Sequence, residues 1–291
     1  MNKIRLTFML SLGVLLCTGL SQAQDKSERK KKNKKEIAAA AKADSIKKAK
    51  PAKPTIAEKI KSSKKSEGLF TIYQDTVTGS IQLFVKKDQL GKEFIYQSYS
   101  MNGPTTLGLN QSMHRSTNII NINKANDKIE FGIVNTNFYY DKNNAVSKTA
   151  GTDISEAIFL AEKVVAEDNN GYLIAADGLF LSEKMDPVKP IMPPGIPPGA
   201  VFNLGNFNAA KSKYHSIRSY PNNTDVLVDL AYDNPAPLNG GGDDITDARY
   251  VRVRIQHTFL EMPKNDFRAR RDDPRVGYFG QTVNDQTSIS L

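Results

Sequence analysis

Apolar and polar positions alternate along this chain in short runs, and turn residues separate the runs. Residues 68–74 and 80–86 are rich in Ile, Phe, Tyr and Val, which suit a pleated, half-buried surface. The turn at 75–79 ends in Gly79, which supplies a positive φ at no steric cost. After a second turn at 88–91, Phe94, Tyr96 and Ser98 alternate with Ile95, Gln97 and Tyr99. These segments read as a three-stranded meander, too small to stand alone and so expected to pack on the strands C-terminal to it. Residues 116–123 and 128–135 are the next strands, joined around Ala125-Asn-Asp127, and 136–140 offer another. Asp168-Asn-Asn-Gly171, between 164–167 and 172–176, is the clearest hairpin turn. Residues 218–220 and 225–232 are strand-like. Residues 249–262 set Val251, Val253 and Ile255 against Arg252, Arg254 and Gln256, the pattern of a long half-buried strand with a basic outer face. His257 falls on the valine side, which assigns it to core or interface.

Other stretches do not keep that period. In 154–166 the apolar residues Ile158, Phe159, Val164 and Val165 settle on neither template, and Glu156, Glu162 and Lys163 would suit a helix of two to three turns. Residues 179–184 read as a short helix or an apolar plug, and 206–214 are compatible with a helix. Six prolines in 186–205 exclude a helix or strand interior and leave polyproline II or a surface insertion. Residues 101–115, 145–152 and 235–247 are loops, the last running through Gly240-Gly-Gly242. The expected fold is mainly β with a few short helices, α+β being the variant, in antiparallel sheets that form a sandwich or a partial barrel.

The two ends differ from this body. Residues 1–23 have a charged start, Lys3 and Arg5, an apolar run over 6–20 and small residues at Ser21 and Ala23, the pattern of an exported chain cleaved near Ala23 into periplasm, outer surface or medium. Cys17 is the only cysteine and lies inside that segment, so the mature chain has no thiol for a disulfide, a nucleophile or zinc. Residues 24–65 are dominated by Lys, Ala, Ser and Glu without an aromatic residue, which reads as a disordered linker. The chain carries 40 basic and 31 acidic residues; residues 1–23 hold 2 basic ones and 24–65 hold 16 basic and 5 acidic. Residues 66–291 are left with 22 basic and 26 acidic, a net −4. The basic character belongs to the arm, whose residues 26–65 suit an anionic envelope surface, and the body is not a nucleic-acid-binding module by charge. The expected organisation is a signal at 1–23, linker at 24–65, small β domain at 66–100, larger β-rich domain at 101–280 and a connector at 281–291.

Candidate chemistry is sparse. His114, His215 and His257 are isolated from one another, and none has a partner at the i, i+4 spacing that sets two imidazoles on one helix face. Gly-x-Ser-x-Gly, phosphate-loop and dinucleotide fingerprints do not occur. No catalytic, cofactor or metal residue is therefore assigned within the chain. Asp243, Asp244 and Asp247 could hold calcium, though not with the spacing of an EF-hand loop. The dense segment is Phe267-Arg-Ala-Arg-Arg-Asp-Asp-Pro-Arg-Val-Gly-Tyr-Phe279. Pro274 makes a turn of it, and arginine beside aspartate favours planar paired hydrogen bonds. Arg271, Asp272, Asp273, Arg275, Tyr278 and Phe279 are the candidate docking residues.

Arg271-Asp-Asp-Pro-Arg-Val-Gly-Tyr-Phe279 resembles a junction in large secreted bacterial zinc-dependent metalloproteases of metzincin type, in which two domains of unknown function precede the catalytic domain. Glu67-Gly-Leu-Phe-Thr-Ile-Tyr73 with Ile81-Gln-Leu-Phe-Val85 resembles the first of those domains. Val165-Ala-Glu-Asp-Asn-Asn-Gly-Tyr-Leu-Ile174, Gly178-Leu-Phe-Leu181 and Arg218-Ser-Tyr-Pro-Asn-Asn223 resemble the second, in the same order. The signature His-Glu-x-x-His with a third downstream histidine is absent. The resemblance implies a non-catalytic N-terminal accessory region that scaffolds, shields or feeds a catalytic domain of the same polypeptide or of a paired chain. Zinc would sit in that other domain, and protein or peptide would be the substrate. A stand-alone envelope binding module tethered by the basic arm is the alternative.

Overall fold

Strands with Ile, Leu, Val and Phe at every second position must bury one face, and this chain buries it by curling one long sheet nearly onto itself. The computed structural model describes residues 54–141, 143–152, 154–189, 194–264, 266, 275 and 283–286. The strands are β1 (Ser63–Ser66), β2 (Thr71–Asp75), β3 (Ile81–Lys86), β4 (Glu93–Asn102), β5 (Met113–Ala125), β6 (Lys128–Ile133), β7 (Phe138–Tyr139), β8 (Ala157–Glu167), β9 (Gly171–Ala175), β10 (Asn206–Ser219), β11 (Asn223–Asp233), β12 (Tyr250–Glu261) and β13 (Asn284–Asp285). Two single-turn helices, α1 (Ile56–Lys59) and α2 (Asp177–Phe180), accompany them. Eleven strands form one antiparallel sheet in the order β1-β2-β3-β9-β8-β6-β5-β4-β12-β11-β10, and β7 pairs with β13 in parallel. The architecture is mainly β and barrel-like, which decides between the two expected forms.

Parity places the core as the sequence implies. Phe94, Tyr96 and Ser98 of β4, Val226, Val228 and Leu230 of β11, and Val251, Val253 and Ile255 of β12 are all buried. Phe259 gathers an aromatic cluster, with ring centroids 5.5 Å from Tyr96, 5.6 Å from Phe70 and 5.8 Å from Phe180. The hairpin at 168–171 forms as expected: Asp168 Oδ1 accepts from the N–H groups of Asn170 and Gly171, both at 2.8 Å.

The expected meander is corrected. β2 and β3 form a hairpin, but β3 continues to β9, while β4 lies between β5 and β12. Strands from 66–100 and from 101–280 therefore share one sheet. Residues 154–166, which settled on neither template and would have suited a helix, fall largely in β8, and 206–214, which were compatible with a helix, lie in β10. The linker reading is also corrected at its C-terminal end. Thr55 and Glu58 cap α1 reciprocally, and β1 pairs with β2 from Ser63↔Asp75 to Ser66↔Ile72.

The two edges of the sheet meet at a seam stitched by specific bonds. Leu69 N–H donates to Tyr220 O at 2.6 Å, Ser219 Oγ–H to Phe70 O at 2.6 Å, and Phe70 N–H to Thr224 Oγ1 at 3.1 Å. The approach is so close that a Cβ on Gly68 would lie 2.5 Å from the backbone N and O of Tyr220, so a side chain there would force the seam apart. Further along, Asp177 Oδ1 accepts from Ile81 N–H of β3 at 3.0 Å and Tyr214 Oη–H of β10 at 2.8 Å. The apolar plug expected at 179–184 is the end of α2, whose Leu179 and Phe180 are buried.

Candidate functional site

The barrel has two unlike ends. At the exit end, where β12 finishes, Glu261 N–H is held by Asn222 O at 2.9 Å, and Met262, Pro263 and Lys264 line an open cleft of about 670 Å³. Its floor is rigid because Gln89 is buried and bonded twice. Gln89 Oε1 accepts from Lys86 N–H at 2.9 Å, and Nε2 donates to Leu69 O at 2.6 Å. The rim mixes signs, with Lys86, Lys92 and Lys264 against Asp88, Glu93 and Glu261. Of the candidate docking residues, Arg271, Asp272, Asp273, Tyr278 and Phe279 lie outside the described residues, and Arg275 is an exposed turn residue. Beyond them, Asn284 N–H donates to Asn137 O at 2.8 Å and Gln286 N–H to Tyr139 O at 2.9 Å, where β13 meets β7.

The opposite, far end holds a buried ionic cluster that sequence reasoning missed. The segment after α2 crosses this end as a strap tied by two carboxylates. Asp186 accepts from Arg115 Nε at 2.6 Å and Nη2 at 3.4 Å, and the same Nη2 donates to Pro187 O at 2.9 Å. Glu183 Oε1 accepts from Tyr232 Oη at 3.0 Å and from the N–H groups of Val188 and Lys189 at 3.1 and 3.4 Å. Burial, reinforced by Glu183, pushes the Tyr232 phenol far above its ordinary range, so it serves as a donor. The strap thus gives up water for charge-assisted bonds, the exchange that a buried charge requires.

Beside this cluster lies His257. It is buried, as its parity required, with Nδ1 2.9 Å from Tyr96 Oη and its ring 6.0 Å from those of Tyr96 and Phe180. Nε2 has no hydrogen-bond partner among the described residues. Desolvation drives the imidazole pKa down to about 4, with Asp186 opposing and Arg115 assisting. Above pH 6.5 the ring is neutral folded or unfolded. As pH falls from 6.5 towards 4, only the unfolded chain takes the proton, so stability present at neutral pH is lost across that window. At about 1.4 kcal/mol per pH unit, the loss reaches roughly 3 kcal/mol. Urea unfolding at about pH 7, 5.5 and 4.5 should show this slope, and His257→Gln should flatten it. An equal slope in both proteins would assign the effect elsewhere.

The other histidines do not join it. His114 is exposed, with Nε2 2.8 Å from Thr117 Oγ1, and His215 Nδ1 is 3.9 Å from Asp229 Oδ2. Asp229 is occupied by Arg254, whose Nε donates at 2.7 Å. Asp244 is bonded by Thr105 and Thr106, and Asp247 by Arg249, which holds both carboxyls below the usual range. Among the described residues, no group of three or more His, Cys, Asp or Glu is placed to hold a metal ion.

A comparison with protein families matches residues 111–288, more than half of the chain, to the family described as Domain of unknown function (DUF5117). The chain belongs to that family. No curated protein and no solved structure matches the chain. The DUF5117 match begins just before β5, takes in Arg115, the strap and β12, and runs on through the Arg/Asp segment to β13. A domain of unknown function agrees with the coarse part of the resemblance, and both barrel ends draw on it.

Proposed function

We propose that this chain is the non-catalytic accessory region of an exported zinc-dependent metallopeptidase, and that it scaffolds the catalytic domain and presents peptide to it. The observation that carries the reading is the extent of the family match. It continues past the last barrel strand, through Arg271 to Phe279, as far as residue 288, so the Arg/Asp segment belongs to the recurring unit. β12 ends beside the exit cleft, which Met262, Pro263 and Lys264 help to line, and the cleft's rim of lysines and carboxylates suits a partner that carries both signs of charge. The partner is a catalytic domain in the same polypeptide or a paired chain, and zinc belongs to it. The basic arm that precedes α1 holds the assembly against an anionic envelope surface.

The chain alone is expected to leave casein uncleaved with or without zinc, and to bind no stoichiometric zinc by calorimetry. Cleavage is expected when the catalytic domain is supplied, and Arg275→Ala should weaken that pairing. A tight one-to-one zinc site lost on His114→Ala, His215→Ala or His257→Ala, together with chelator-sensitive cleavage by the chain itself, would overturn this reading.

A further inference from the structure

At the far end, Lys189, residues 196–203 and the loop after β11 line a cavity of about 440 Å³. Small-ligand sites run from roughly 300 to 1,000 Å³. Ile196, Val201 and Leu238 line it and are 39%, 46% and 76% exposed, so three large apolar side chains face water around one opening. Pro197, Pro198 and Phe202 continue the apolar wall. The walls are braced before any ligand arrives. Asn239 Nδ2 donates to Gly199 O at 3.0 Å while its Oδ1 accepts from Gly241 N–H at 2.8 Å, and Asn234 Nδ2 donates to Asn203 O at 3.2 Å. Bracing of this kind reduces the ordering cost of binding.

The polar groups left over define the ligand. Lys189 is the charged residue among the described lining. It is half-buried, its backbone is fixed by Glu183, and its ammonium has no carboxylate partner among the described residues. Asn203 Nδ2 and Asn234 Oδ1 are likewise unpaired among the described residues, one a donor and the other an acceptor. We propose that this cavity binds the carboxy-terminal end of a peptide whose last side chain is bulky and apolar. The apolar wall takes the side chain, Lys189 takes the carboxylate, and the two asparagines pair with the C=O and N–H of the last peptide group. A fatty acid would satisfy the wall and the lysine but leave both asparagine groups unmatched. The proposal rests on the accessory reading only for the source of the peptide, since a peptidase generates new carboxy termini.

The test is isothermal titration calorimetry of the full chain with N-acetyl-Leu-Phe, its carboxy-terminal amide and decanoate. Saturable one-to-one binding of the acid is expected, about tenfold tighter than the amide, the ratio that one charge-assisted bond supplies. Lys189→Met should lower acid affinity about tenfold and leave amide affinity unchanged, and Leu238→Ser should weaken both. Absence of saturable binding of the acid, or equal binding of acid and amide, overturns the proposal. Decanoate binding as tightly as the peptide would make the ligand a fatty acid and overturn it too. The acid-to-amide ratio on the unaltered chain decides even if a variant fails to fold. No catalytic domain enters the measurement, so its outcome is independent of the casein result.

Discussion

Phe180→Ala should lower the stability of the barrel by about 3–5 kcal/mol, the cost of emptying a buried aromatic site that cannot collapse. Phe180 is 1% exposed and ends a helix of one turn. Its ring meets Phe259 edge-on at 5.8 Å and lies 6.0 Å from His257, so it fills the barrel between β12 and the seam. The backbone cannot follow a smaller side chain inward, because Asp177 pins α2 to both β3 and β10. Domains of this kind have about 5–15 kcal/mol in total, so the loss takes a large share. Urea unfolding followed by far-UV circular dichroism should show a much lower midpoint with an unchanged slope. Phe180→Leu, which keeps most of the volume, should cost about 1 kcal/mol. A change below about 1 kcal/mol for Phe180→Ala would show that α2 is an ornament of the barrel and not its plug.

That plug was legible in the sequence because a short apolar cluster between a strand and a proline-rich stretch has nowhere to go but inward. Strands with clean alternation were legible too. β4, β11 and β12 each show period two over a run of several residues, and parity assigned His257 to core or interface, where it is buried. β8 and β10 were not legible, and the reason is their bulges. The register of β8 slips between Phe131 and Gly132 on one side and between Val164 and Ala166 on the other. Leu160, Val164 and Ala166 are buried on one parity, but Glu162 sits between them on that parity and Ile158 on it is exposed, so the apolar residues do not mark the buried face cleanly. β10 slips twice, between Asn208 and Lys213 and again at Tyr214, with Ala209, Ala210 and Lys211 in the first bulge. Good helix formers set in a broken alternation read as a helix, and tertiary pairing overrides them.

The ionic cluster was out of reach for a different reason. Arg115 was the last residue of a polar loop and Asp186 opened a proline-rich one. Seventy-one positions separate them, and neither carries a local pattern. What brings them together is the path of the strap, which depends on the plug, which in turn depends on the seam. Polar residues in loops become interior residues only when the loop is laid across the end of a barrel, and no period reports that. The cavity wall has the same origin, since Lys189 follows directly from the strap.

Arg115→Ala should cost about 3 kcal/mol and should do so through Asp186. Arg115 has a side chain 17% exposed and Asp186 one only 7% exposed, so truncation leaves a carboxylate desolvated and without its cation. Breaking a buried pair costs about 3–5 kcal/mol, and partial exposure of the guanidinium puts this case at the low end. Pro187 O loses its donor as well. Replacing both partners, Arg115→Met with Asp186→Leu, should recover most of the loss, because the penalty lies in the orphaned charge and not in a net attraction. His257 provides a second readout with a defined sign. The Arg115 charge holds its pKa down and Asp186 holds it up, so removing the arginine must raise it. The acid-induced loss of stability in Arg115→Ala should therefore reach its floor at higher pH than in the unaltered chain, because the folded protein then takes up the proton sooner. A single variant as stable as the double one, with an unmoved acid transition, would mean that the strap is held by Glu183 and Tyr232 alone. If the ion pair does hold the strap, Arg115→Ala should also loosen Lys189 and weaken acid peptide binding more than amide binding, which ties the far-end cluster to the cavity it supports.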